Sequence, residues 1–470
     1  MESGDSAEAR ASVVYVFNPF AEGYIAQGKG FTPVKHQALL ASDLANLPQF
    51  LCKPHDLVLL AKRPAASFLK GLKQAGFPLP EFVELKEGRI DPASDLCQRK
   101  IDRLRPWAWG PDSIELLEPL FTRVSSGTAR AGHYFNDDIA RLYSKAWSAG
   151  FLRKALAHCH GWDAAPAEPS ARTPLAASPP AQGRRGTPTG GWLCSEQEVG
   201  VAVATLDDAL EAIAGIRGRG HQRVAVKAAH GLAGHNAIRL WEPELLPAQR
   251  QWLSHALRDG RQLVVEPWLE RELDFSVQLE MGPRDLKLCG YTGLVNDRKG
   301  QFLANWVEAD YARRLPAKVA ALLSPAQDVA ASLEHVYCEI LTLLAAELQR
   351  VGFVGPVNID AFVYRAPQGD CRLKPVVEIN PRCTMGRVAL ELMKHVCPGS
   401  CGWFRLVTRT QARGEGFGDL VSYARSLAER LPLQLEDDPA KIRQGALCLN
   451  DAEQAQVCLA TFEVRPETHG

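Results

Sequence analysis

Val357–Arg382 reads VNIDAFVYRAPQGDCRLKPVVEINPR, and this stretch decides the fold. Two β-rich runs, Val357–Tyr364 and Leu373–Asn380, flank an eight-residue connection. Side chains on a strand alternate between faces, so Asn358 and Asp360 share one face of the first run, and Glu378 and Asn380 one face of the second. In an antiparallel pair, opposed residues have a constant index sum. That sum is 738 for Asp360 with Glu378 and again 738 for Asn358 with Asn380. One register therefore gathers all four polar groups on a single patch, with two carboxylates facing each other. Facing carboxylates repel unless a cation or a proton lies between them. Asp, Glu and Asn oxygens are the ligands Mg2+ prefers. The plain alternative is a hairpin with a solvated polar face; the apolar residues around the patch weigh against it.

Two further segments stand upstream. In Val224–Asn236, VAVKAAHGLAGHN, a strand delivers Lys227 into a loop containing Gly231 and Gly234. Glycines let backbone N–H groups approach phosphate oxygens, and a lysine adds a point charge; taken alone, the pattern is ordinary strand-to-turn topology. In Val264–Val277, VVEPWLERELDFSV, Pro267 cannot donate to a sheet ladder and marks an edge or a break. A broken strand leaves free backbone groups able to read an adenine edge, with Trp268 and Leu269 as apolar walls; for either side chain alone, core packing is the simpler reading.

The rest of the chain supports an α/β and α+β layout. Ser12–Phe17, Leu57–Ala61 and Phe82–Leu85 read as strands and Ala65–Ala75 as a helix, a small parallel sheet in the making. Ile139–Ala157 reads as one basic helix. Arg223–Lys227, Gln262–Leu269, Leu273–Met281 and Lys287–Val295 read as strands, the last two joined as a hairpin through GPRDL. Val329, Leu333, Val336, Ile340, Leu343, Leu344 and Leu348 recur at helical spacing, which predicts a long helix over 326–350. A helix near Leu420–Leu431 and a terminal hairpin complete the tail. From Gly161 to Gly191, 23 of 31 residues are Pro, Gly, Ala, Ser or Thr. Such composition cannot bury enough surface to offset its ordering entropy and predicts a mobile inserted linker.

Composition narrows the function. Lys plus Arg and Asp plus Glu are both 54 in 470 residues, and a neutral chain is unsuited to broad capture of nucleic acid or anionic membrane. No apolar run approaches the ~18 residues of a membrane span. The polar, acidic start MESGDSAEAR is unlike a secretory leader. Twelve cysteines without a CxxC suit free thiols in a reducing compartment. A cytoplasmic protein without nucleic-acid or membrane partners is expected.

The three segments, in this order, resemble an ATP-grasp ligase, in the pattern of D-alanine–D-alanine ligase and the L-amino-acid and peptide ligases. The resemblance spans about Ile139–Leu392, and EINPR preceded by NIDAFVY is its most specific part. It implies an ATP-grasp fold with an N-terminal Rossmann-like domain. The implied partition is an N-terminal α/β domain over 1–135, a small lid subdomain over 136–270 carrying the insertion, a large subdomain with the metal site over 271–400, and a C-terminal extension over 401–470. It implies ATP and Mg2+ as cofactors, with two ions and Mn2+ as a substitute. It further implies small carboxylate and amine substrates of amino-acid or peptide type, and a homodimer.

Residue by residue, the resemblance implies that Lys145 and Lys227 contact ATP phosphates, with Lys154 the alternative to Lys145. Gly231 to Gly234 match the loop that closes over the phosphates. Glu266 and the backbone near Leu269 match the adenine-reading hinge, and Asp274 the ribose-binding acid. Asp360, Glu378 and Asn380 match the Mg2+ ligands. Arg382 matches the arginine that steadies an acyl phosphate or tetrahedral intermediate. Asn358 stands where several relatives carry arginine, which makes Arg387 a candidate for the missing charge. The implied reaction activates a carboxylate as an acyl phosphate and joins it to an amine, releasing ADP and phosphate. A phosphotransferase that stops at phosphorylation and a non-catalytic nucleotide-binding protein are the competing readings. No residue is nominated as general base. His395, Cys397 and Cys401 supply three soft ligands where structural zinc needs four, so they are read as structural. Cys383 reads as a packed side chain.

Overall fold

The computed structural model describes residues 12–125, 130–158, 191–231, 237–296, 302–308, 323, 329–436 and 440–466, the side chains of 329–332 excepted. The insertion expected to be a mobile linker lies almost wholly outside the described residues, as does Gly234.

Three sheets organise the chain. The first is parallel, in the order β3-β2-β1-β4, from β1 (Ser12–Val16), β2 (Leu57–Leu60), β3 (Glu81–Glu84) and β4 (Ile101–Pro106). All four residues of β2 are buried, the near-continuous apolar run that a parallel sheet covered on both faces requires. The Ala66–Gln74 helix gathers Leu69 with Val58 and Leu60, while Leu72 joins a neighbouring cluster with Phe50 and Phe77.

The second sheet is small and antiparallel, in the order β5-β8-β6-β7, from β5 (Val201–Val203), β6 (Val224–Ala228), β7 (Ala237–Leu240) and β8 (Leu263–Pro267). The Leu206–Gly218 helix packs Ala209, Ile213 and Ile216 on it, N-capped by Thr205, whose hydroxyl accepts from Asp208 N–H. β8 stops at Pro267, where the sequence expected a break.

The third sheet has nine strands: β9 (Glu270–Met281), β10 (Leu286–Asn296), β11 (Phe302–Glu308), β12 (Gly355–Arg365), β13 (Cys371–Asn380), β14 (Ser400–Thr408), β15 (Gln434–Glu436), β16 (Lys441–Cys448) and β17 (Cys458–Pro466). Their order is β13-β12-β9-β10-β11-β14-β17-β16-β15. β14 joins β11 from Ala304↔Arg405 to Glu308↔Cys401, so the tail strands continue the same sheet. The long helix runs over Val329–Arg350 and buries Leu333, Val336, Ile340, Leu344 and Leu348 against it. The α/β and α+β class read from the sequence is the class the chain adopts.

Two expectations change in detail. The single helix over Ile139–Ala157 is two, Asp137–Leu142 and Lys145–His158. The break falls at Tyr143–Ser144. The Tyr143 hydroxyl donates to Trp109 C=O at 2.8 Å, while Ser144 Oγ accepts from Ala146 N–H at 3.2 Å and starts the second helix. Serine competes for backbone donors in this way and favours caps over helix interiors. The β12–β13 hairpin keeps the 738 register at Asn358↔Asn380 and Asp360↔Glu378, then shifts so that Phe362 faces Lys374. Pro375 lies inside the shift. It lacks the N–H that a ladder needs, and a bulge accommodates it.

Candidate active site

Between the small sheet and the floor of the large one lies a cleft of about 570 Å³. The floor follows from strand pairing. Asp360 on β12 is opposed on one side by Glu378 on β13 and on the other by Ser276 on β9. Ser276 Oγ donates to Asp360 Oδ1 at 2.7 Å. Asn380 Nδ2 donates to Asn358 Oδ1 at 3.0 Å and to Asp360 Oδ2 at 3.2 Å. The four polar residues read from the hairpin thus meet on one patch. Burial, and next the facing Glu378, push the Asp360 carboxyl up to about 6. Burial also pushes Glu378 up, but Lys145 more than offsets it and holds that carboxylate below its ordinary value.

Lys145 opens the Lys145–His158 helix. Its Nζ donates to Glu378 Oε1 at 2.7 Å and to Gly231 C=O at 2.9 Å, while its backbone N–H donates to Ala229 C=O at 2.8 Å. The lysine therefore ties the large sheet to the start of the glycine loop. Lys154 is exposed and pairs with Glu347, away from the cleft. Lys227 lines the cleft and pairs with Glu266. Glu266 also accepts from the deeply buried Lys374 at 3.1 Å. Burial raises the Glu266 pKa, yet the two ammonium groups hold it far below the ordinary glutamate range. These groups line a void of about 10 Å³ beneath the cleft. Leu269 packs in the core and is 6% exposed. Asp274 lines the cleft and accepts from Arg271 at 2.9 Å.

Arg382 ends the hairpin. Its Nη2 donates to Asn380 Oδ1 at 3.0 Å and its Nε to Glu22 Oε1 at 3.0 Å. Ala108 bridges to Arg382, and Trp107 C=O accepts from Cys383 N–H at 2.8 Å. Glu22 and the Trp107–Ala108 segment thus brace the arginine and its neighbour. Arg387, the candidate substitute for an arginine at 358, instead donates to Glu280 at 3.1 Å and to Cys289 Sγ at 3.2 Å, and does not line the cleft. His395 packs on Phe77, and Cys397 and Cys383 are buried.

Glu22, Lys374, Ser276 and Arg271 belong to this constellation and carried no signal by themselves. Lys374 alone was within reach, since it lies on the decisive hairpin and shares its parity with Glu378; both line the same void.

The donor set fits a hard divalent cation. Asp360 and Glu378 offer only oxygen atoms and Asn380 one amide oxygen, and a cation would relieve both the burial and the Glu378 repulsion that lift Asp360. No group of three or more His, Cys, Asp or Glu side chains able to hold a metal occurs among the described residues. The Asn380 amide oxygen accepts from Arg382.

No family model matches the chain, and no curated protein matches it. Solved structures do. N5-carboxyaminoimidazole synthetase from Staphylococcus aureus, complexed with ADP, is 11% identical, with 97% of this chain and 93% of that chain covered and a TM-score of 0.45. Biotin carboxylase from Campylobacter jejuni is 11% identical, with 98% and 89% covered and a TM-score of 0.45. D-cycloserine synthetase DcsG is 14% identical, with 69% and 88% covered and a TM-score of 0.36.

Proposed function

We propose that the protein is an ATP-dependent ligase that activates a carboxylate as an acyl phosphate and joins it to an amine. One observation carries this reading. The floor of a nucleotide-sized cleft presents facing Asp360 and Glu378 with Asn380, and Lys145, Lys227 and Arg382 stand around them. That combination of buried acid and surrounding base suits a polyphosphate held over a metal and suits little else.

Asp360, Glu378 and Asn380 would hold Mg2+, or Mn2+ in its place, in one or two ions. Bound there, the metal supplies neutralisation of charge on the transferring phosphoryl group. Lys145 and Lys227 hold phosphate oxygens, which requires them to release Glu378 and Glu266 in part. Asp274 takes the ribose hydroxyls, and the chain at Glu266–Leu269 takes the adenine edge. The substrate carboxylate oxygen attacks the γ-phosphorus, and ADP leaves. The amine then attacks the acyl carbon and phosphate leaves, while Arg382 stabilises the oxyanion formed between those events. Glu22 holds Arg382 in place for this. The loop from Gly231 to Gly234 excludes water from the acyl phosphate. Every cysteine among the described residues is a free thiol, which suits a cytoplasmic setting. No helix among the described residues is long and apolar enough to cross a membrane.

The test incubates the protein with Mg-ATP and paired pools of carboxylates and amines, following phosphate release and product mass. The expected result is phosphate release that depends on the amine and an adduct of the two small molecules. ADP with a stable phosphorylated product and no amine requirement would replace this reading with a phosphotransferase.

A further inference from the structure

Glu266 holds two ammonium groups at once. Lys227 pairs with its Oε1, and Lys374 donates to its Oε2 at 3.1 Å. The two lysines differ in setting. Lys227 lines both the cleft and the small void beneath it, whereas Lys374 and Glu266 line the void alone. Lys374 is 3% exposed. Its Nζ also donates to Glu198 C=O at 3.1 Å. The Glu198 side chain is fixed in turn, accepting from Tyr364 Oη and from Ser195 N–H, each at 2.7 Å.

Holding phosphate takes Lys227 away from Glu266, and a buried carboxylate left without a partner is costly. The void offers little in exchange. It measures about 10 Å³ and is walled by Ala149, Leu152, Val199, Val264 and Val376, which leaves space for no more than a single water. The backbone closes in at Gly200, where a Cβ would lie 2.5 Å from Val264 Cγ1. Among the described residues no third cation pairs with Glu266. Lys145 faces the same demand at Glu378, but Glu378 lines the cleft, where a divalent cation would replace the lysine. Glu266 has no such exchange.

From this geometry we infer that Lys374 is a positioning residue for Lys227: it keeps Glu266 compensated when Lys227 turns into the cleft, and so leaves Lys227 free to take a phosphate oxygen. Lys374 acts through Glu266, without touching the nucleotide. Burial favours the neutral acid at Glu266, yet the two ammonium groups hold it ionised, so the lysine that stays behind has a full charge to meet. The inference rests on the reading of Lys227 as a phosphate ligand and adds the residue that releases it for that role.

The test titrates magnesium tripolyphosphate, a probe without a base, into the full-length protein and its variants by calorimetry. Lys374→Met keeps the side-chain length and removes the charge, which confines Lys227 to Glu266. Affinity should fall on the order of tenfold. Adding Glu266→Gln to Lys374→Met removes the carboxylate that confines Lys227, and affinity should return to near the wild-type value. Glu266→Gln alone should bind at least as tightly as wild type, a measurement that decides the matter even where Lys374→Met does not fold. Unchanged affinity in Lys374→Met, a double variant as weak as the single one, or weaker binding by Glu266→Gln would overturn the inference; a purely structural lysine gives the second result. A loss for adenosine with none for tripolyphosphate would make Lys374 a base contact and overturn it as well. Wild-type protein that binds no tripolyphosphate would overturn both the inference and the phosphate role of Lys227. Failure of the ligase reading alone looks different: the affinities follow the expected pattern, yet Mg-ATP with paired carboxylates and amines yields no phosphate.

Discussion

Glu378 touches both halves of the proposed chemistry, since it faces Asp360 across the hairpin and accepts from Lys145. Glu378→Gln keeps the shape and removes the charge. Phosphate release should fall by on the order of a hundredfold or more, read as initial rate at saturating Mg-ATP; unchanged turnover would remove the metal assignment. Glu266 offers a pH test. Its folded pKa is depressed by Lys227 and Lys374, so its contribution to stability is present above the ordinary glutamate value and is lost as pH falls below it. The wild type should therefore lose urea resistance between pH 6 and acid more steeply than Glu266→Gln. Parallel slopes in the two proteins would deny Glu266 its part in the fold. At this scale the decisive residues were legible where they were local. Asp360, Glu378 and Asn380 lie within one hairpin, and strand parity places them without further information.

Elements were legible where one period dominated. The Val329–Arg350 helix has an apolar stripe, of which Leu333, Val336, Ile340, Leu344 and Leu348 are buried and Leu343 partly so. Leu344 is fully buried there, so Leu344→Ala should cost about 2–5 kcal/mol through lost burial and the cavity left behind, measured as a shift in the urea midpoint. A cost under about half a kilocalorie would mean that the helix is not packed as described. Boundaries failed where a side chain competed with the backbone. Ser144 splits an apparently continuous helix, and Pro375 shifts a ladder that parity alone would continue. Neither effect appears in hydrophobic spacing, because each depends on a single donor made or withheld.

For the whole molecule, sequence distance sets the limit. Glu22 and Arg382 are 360 residues apart, and no motif around Glu22 announces the pairing. Arg105 on β4 likewise reaches Glu280 on β9 at 2.7 Å, which fastens the first sheet to the large one. The tail carried no readable chemistry in the sequence, yet its strands adjoin β11, which lends Phe302 and Asn305 to the cleft. A polypeptide halted at Pro398 would strip β11 of its outer neighbour and bare a row of main-chain donors and acceptors. Exposed rows of this kind recruit other copies, so the shortened protein should self-associate in light scattering, whereas a monodisperse shortened protein with full ATP turnover would refute this. Seventy-two residues that touch no phosphate would then be what keeps the catalytic sheet from serving as a template for its own aggregation.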